Sequence, residues 1–130
     1  MVGTVHIAVR NRRNYYDFTL KRNLTLLRGD SGTGKTTLYE MIRDYNNNSE
    51  SGVRLSCNKS VETLEGRNWE QQLEGISQSV VVIDEGSGFI KSEDFAGRVR
   101  GSDNYFLLIT RDYLQQLPNN NKKLPFTVAI

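Results

Sequence analysis

Eight consecutive residues, Gly29-Asp30-Ser31-Gly32-Thr33-Gly34-Lys35-Thr36, join an apolar segment to an amphipathic one. Glycines at three of these positions permit turns and close approaches that a Cβ would obstruct, so successive backbone N–H groups can wrap an anion. A helix starting at the end of the run aims its unpaired N–H groups and positive dipole end at the same place. Lys35 can then reach the outer phosphates of a polyphosphate, and the Thr36 hydroxyl can hold Mg²⁺. Gly29 to Thr36, with Thr37 after them, are therefore the candidate phosphate contacts. The flanks fit this reading. Leu24, Leu26 and Leu27 predict a strand before the loop, and Leu38, Met41, Ile42 and Tyr45 follow at helical spacing, predicting one buried stripe.

Val5, Ile7 and Val9 alternate with Thr4, His6 and Ala8, and Tyr16, Phe18 and Leu20 alternate with Asp17 and Thr19. Two half-buried strands joined by the short turn Asn11 to Asn14 must run antiparallel, so the chain opens with a hairpin. Beyond the first helix, Val53 to Cys57 reads as a second core strand. Trp69, Leu73 and Ile76 mark one face of a short helix, and Val80 to Ile83 reads as a strand buried on both faces. Ser92 is a candidate N-cap for a helix carrying Phe95 and Val99. Tyr105 to Ile109 is a further buried strand, Leu114 and Leu117 suit a helical turn ended by Pro118, and Phe126 to Ile130 is a last strand. Strands alternating with helices predict an α/β fold, a mainly parallel sheet with right-handed crossovers and helices on both faces.

The strand Val80 to Ile83 runs into Asp84-Glu85. Carboxylates there sit at the sheet edge where open α/β folds bind ligands. Asp84 can hold Mg²⁺, directly or through water, opposite Thr36, and Glu85 can orient or deprotonate a water aimed at a γ-phosphate. Thr110 and Arg111 leave the next core strand at the same edge, where a cation would stabilise charge on a transferring phosphoryl group. Lys35, Glu85, Thr110 and Arg111 are thus the candidate catalytic residues.

With 130 residues the chain is expected to form one domain over 1–130, alone or within a larger protein. No apolar stretch nears the roughly 20 residues that span a bilayer, so no membrane association is expected and the compartment is read as the cytoplasm. Cys57 and His6 are the only cysteine and histidine, which leaves no cysteine–histidine zinc site. His6 reads as an exposed strand residue and Trp69 as packing. The net charge of +2 argues little for a nucleic-acid partner, but Arg10, Arg12, Arg13, Lys21, Arg22 and Arg28 gather near Tyr15 and Tyr16 at one end. Such a hairpin can grip a nucleic-acid backbone; the alternative reading is a solvated turn protecting a sheet edge.

These residues resemble the P-loop NTPase superfamily, in its branch with an additional strand and a catalytic glutamate, which includes AAA-type and ABC-type ATPases. Gly29 to Thr36 stand as Walker A, Asp84-Glu85 as Walker B, and Thr110 or Arg111 as the sensor. The resemblance implies a three-layer sandwich with a mainly parallel sheet of order 5-1-4-3-2, beside the N-terminal antiparallel hairpin, and ATP with Mg²⁺ as ligands. The hairpin is similar to that of ABC-type and DNA-repair ATPases, but no Leu-Ser-Gly-Gly signature and no C-terminal helical lid are present. Asn58-Lys59-Ser60-Val61 lacks the aspartate of a Ras-type base-reading motif, which favours ATP over GTP. The expected function is ATP hydrolysis coupled to a protein partner or a second copy, with Arg98 or Arg100 acting across an interface. Alternatives are a nucleotide-gated binding module, in which ATP orders Gly86 to Ser92 and its exposed-looking Phe89 and Ile90, and a nucleic-acid-dependent ATPase. A small-molecule kinase is the runner-up enzyme.

Overall fold

The apolar run Val80–Ile83 is buried at every position and becomes an inner strand of a five-stranded parallel sheet. A computed structural model describes residues 4–21, 23–28, 35–84, 87–110 and 127–129. In chain order these form β1 (Val5–Arg10), β2 (Tyr15–Leu20), β3 (Leu24–Arg28), α1 (Lys35–Asn47), β4 (Arg54–Cys57), β5 (Val61–Thr63) and α2 (Trp69–Glu74). Then follow β6 (Val80–Asp84), a 3₁₀ turn (Gly88–Lys91), α3 (Glu93–Arg100), β7 (Tyr105–Thr110) and β8 (Thr127–Ala129).

The parallel sheet has the order β5-β6-β7-β3-β8, while β2-β1-β4 make a separate antiparallel sheet. Alternation along each strand divides the core. Leu27, Val80, Val82, Tyr105, Leu107 and Ile109 face α1, and the antiparallel sheet closes the other side of that helix with Val5, Ile7, Val9 and Leu20. Leu24, Leu26, Val81, Ile83, Phe106 and Leu108 face the opposite way, onto α2, the 3₁₀ turn and α3.

The expected three-layer sandwich is therefore corrected, since the N-terminal hairpin joins β4 in a second sheet. Among the described residues there are two sheets and few helices, with α1 held between the sheets. Val53 to Cys57, taken from sequence as the second core strand, pairs antiparallel with β1 instead, Leu55 opposite Val9 and Cys57 opposite Ile7. The physical reason lies in Arg54-Leu55-Ser56-Cys57, whose alternation suits a strand with one solvated face. The edge beside β6 is taken by Val61–Thr63, a strand too short to register as a periodic pattern.

Within the α1 stripe, Leu38, Met41 and Ile42 are buried, but Tyr45 is 42% exposed and Tyr39 is buried in its place. Ser92 caps α3: its Oγ accepts the Phe95 N–H at 3.1 Å, and Glu93 and Asp94 complement the helix dipole in the first turn. Phe95, fully buried, meets Trp69, Phe89 and Phe106 edge to face, and Trp69 stacks on Phe89 with ring centres 4.8 Å apart. Trp69 is thus a packing residue. Asn104, almost fully buried, accepts the Ser79 N–H at 2.9 Å and donates to the Ile76 carbonyl at 3.1 Å, tying the entrances of β6 and β7 together. The predicted helical turn at Leu114 and Leu117 lies outside the described residues, as do the ends Phe126 and Ile130 of the last strand.

Candidate functional site at the C-terminal edge of the parallel sheet

β3 ends at Arg28 and α1 begins at Lys35, so the glycine-rich run spans a strand-to-helix connection. Gly29 to Gly34 themselves lie outside the described residues, as do Glu85 and Arg111. Lys35, Thr36 and Thr37 form the first positions of α1, which has no acidic residue in its first turn to compete with an anion for the helix N-terminus.

Register fixes what shares this edge. Arg28 lies opposite Thr110, and Asp84 opposite Ile109. The ends of β3, β6 and β7 therefore come level, bringing Asp84 and Thr110 to the edge from which the glycine-rich run departs. Asp84 is half-buried, and its carbonyl accepts the Ser87 N–H at 3.0 Å where the chain turns into the 3₁₀ segment. Among the described residues no three His, Cys, Asp or Glu side chains come together as a metal cage. Mg²⁺ needs no such cage, since it is held by one or two carboxylates together with phosphate oxygens and water. Asp84 offers a carboxylate of that kind, while the Thr36 side chain lies outside what the structure describes.

A cavity of about 680 Å³ opens beside Asp84, between α1 and the connection from β5 to α2. Tyr39, Glu65, Arg67, Trp69 and Phe89 line it together with Asp84. Tyr39 follows Lys35 by one helical turn, so the cavity lies next to the loop's helical end. Its phenol is buried; that burial, then the nearby charge of Glu65 and a smaller effect of Asp84, pushes its pKa up to about 12. Glu65 lies close enough to act on the hydroxyl, yet the oxygen forms no hydrogen bond among the described residues. The Arg43 guanidinium sits over the Tyr39 ring, 5.8 Å from its centre.

Sequence reasoning missed Tyr39, Glu65 and Arg67. The available signal was Gly66, whose φ of +91° marks a turn that a side chain would strain. Gln72 holds this turn by donating from Nε2 to the Glu65 carbonyl and to Asn68 Oδ1, both at 2.7 Å. Once Val61–Thr63 is known to be a strand of the parallel sheet, the turn after it must land on the C-terminal edge of that sheet, beside Asp84.

Two further expectations change, and the one for His6 holds. Ile90 is buried and Phe89 half-buried against Trp69, so this part of the proposed nucleotide-gated segment is packed instead of exposed. Arg98 bridges Glu70 at 3.2 Å and Glu74 at 3.3 Å, which engages one of the two arginines considered for an interface. His6 is an exposed strand residue whose Nε2 meets Asp17 Oδ1. No described helix is long and apolar enough to cross a membrane.

No protein-family model matches this chain, and no curated protein matches it.

Proposed function

We propose that the chain binds Mg-ATP through Gly29 to Thr37 and hydrolyses it to ADP and phosphate, as a member of the catalytic-glutamate branch of P-loop NTPases. One observation carries the reading: a complete G-x-x-x-x-G-K-T run connects a central parallel strand to the helix packed on that sheet, level with the acidic end of β6. Backbone N–H groups and Lys35 bind the phosphates, and Thr36 and Asp84 hold Mg²⁺, which neutralises phosphate charge when bound. The Glu85 carboxylate accepts a proton from a water as that water's oxygen bonds to the γ-phosphorus. The bond from this phosphorus to the β–γ bridging oxygen breaks, and the electron pair leaves with ADP. Thr110 and Arg111 contact the γ-phosphate and report its presence. Turnover is coupled to a protein partner or to a second copy of the chain, and ATP as substrate supports a cytoplasmic setting.

Phosphate release from pre-bound ATP tests the assignment. Glu85→Gln retains ATP and slows release by about 10²- to 10⁴-fold, the usual contribution of a general base. An unchanged rate removes Glu85 from this role and leaves the alternative, a nucleotide-binding module whose turnover is incidental.

A further inference from the structure

The antiparallel sheet has a solvated face with an unusual charge arrangement. Arg10 on β1 is the register partner of Arg54 on β4, and on its other side Arg10 faces Tyr15 on β2. Directly opposed residues share a face, so Arg54, Arg10 and Tyr15 form one row across three strands. Like charges directly opposed destabilise a sheet. No ion pair among the described residues relieves this one: Asp17, the acid nearest on that face, is taken by His6 and by the Tyr15 hydroxyl at 2.7 Å.

Space surrounds the row. Beyond its end a cavity of about 580 Å³ is lined by Arg10, Arg12, Arg13, Arg54, Ser51 and Gly52. On its inner side a second cavity, about 320 Å³, lies over Ala8 and Ser56, whose small side chains leave a depression beside Tyr15. No carboxylate lines either one. The turn that presents Arg12 and Arg13 is held by Asn11, whose Oδ1 accepts the N–H groups of Arg13 and Asn14 at 2.9 and 2.8 Å. Tyr15 is 64% exposed.

We propose that this face binds single-stranded nucleic acid, with Arg10, Arg12, Arg13 and Arg54 along the phosphates and Tyr15 stacked under a base. Four arginines spread over a turn and two strands match a repeating anion better than one phosphate group. An exposed aromatic ring among them supplies the sequence-tolerant stacking that single strands use. A membrane is the poorer match, because among the described residues Tyr15 is the only large apolar side chain exposed in this region.

The test is fluorescence anisotropy of the 130-residue chain with a labelled oligothymidylate of about 20 nucleotides, in EDTA and without nucleotide, so that the outcome is independent of the ATP reading. Four phosphate contacts at a log–log slope of about −0.7 each predict a loss of affinity on the order of fifty-fold between about 50 and 200 mM salt. Arg10→Gln with Arg54→Gln flattens the slope by about 1.4, and Tyr15→Ala weakens binding by about five- to a hundred-fold. Removing the Arg10–Arg54 repulsion raises the melting temperature of the double variant or leaves it unchanged, so its weaker binding is not unfolding. No binding at about 50 mM salt, an unaltered slope in the double variant, equal affinity for duplex, or preference for anionic vesicles overturns the proposal.

Discussion

Asp84 is the register partner of Ile109, and so stands one residue short of Thr110, which itself lies opposite Arg28 at the end of β3. This alignment levels three strand ends. It turns two motifs separated by about fifty residues of sequence into one edge, because parallel strands in register deliver their C-terminal residues to the same side of the sheet.

Asp84→Asn should therefore weaken the Mg²⁺ dependence of nucleotide binding more than binding itself. A loss of about 10- to 100-fold in apparent Mg²⁺ affinity is expected, the usual effect of losing an outer-shell metal partner. Titrating Mg²⁺ against a fixed concentration of fluorescent ATP analogue measures it. An unshifted Mg²⁺ midpoint would contradict the assignment of Asp84.

Tyr39 carries a prediction in pH. Its phenol has an ordinary pKa of 10.0 that burial, Glu65 and Asp84 raise to about 12 in the folded chain. The folded state holds its proton more tightly than the unfolded state, so this contribution to stability is fully present below pH 10 and is lost as pH rises toward 12. Tyr39→Phe should lose less stability than the parent between pH 10 and 12. Denaturant midpoints across that window check the slope, and parallel curves would contradict it.

The buried polar groups make an opposed pair of predictions. Thr25 Oγ1 is buried with no hydrogen-bond partner among the described residues, so Thr25→Val should stabilise by about 1 kcal/mol. Asn104 satisfies the Ser79 N–H and the Ile76 carbonyl, so Asn104→Ala leaves both unpaired and should destabilise by about 1–3 kcal/mol. Melting temperatures should move in opposite directions, by roughly 3–5 °C per kcal/mol. Changes of the same sign would contradict the burial account.

The legible parts of the sequence were those where local chemistry and fold agree. The runs Val80–Ile83 and Tyr105–Ile109 are apolar without interruption because both faces of the sheet are covered, and Ser92 announces α3 through its cap. Val53 to Cys57 misled because its alternation identifies a half-buried strand but does not say which sheet receives it. The β5 strand was hidden by its length of three residues, and with it the Glu65–Arg67 turn. Tyr39 and Tyr45 differ in burial although both suit a helical stripe. Which of them faces inward depends on where β5, β6 and the antiparallel sheet close around α1, and periodicity carries no such information.

The central claim is that Gly29 to Thr37 bind a nucleoside triphosphate, and thermal unfolding with ATP, GTP or ADP in the presence of Mg²⁺ tests it most directly. At about 100 times its dissociation constant, ATP should stabilise the chain by about 2.7 kcal/mol and raise the melting temperature by several degrees. Lys35→Ala, folded to the same extent without ligand, should show no shift. No shift of the parent chain with any of the nucleotides, or an equal shift in Lys35→Ala, would contradict the account.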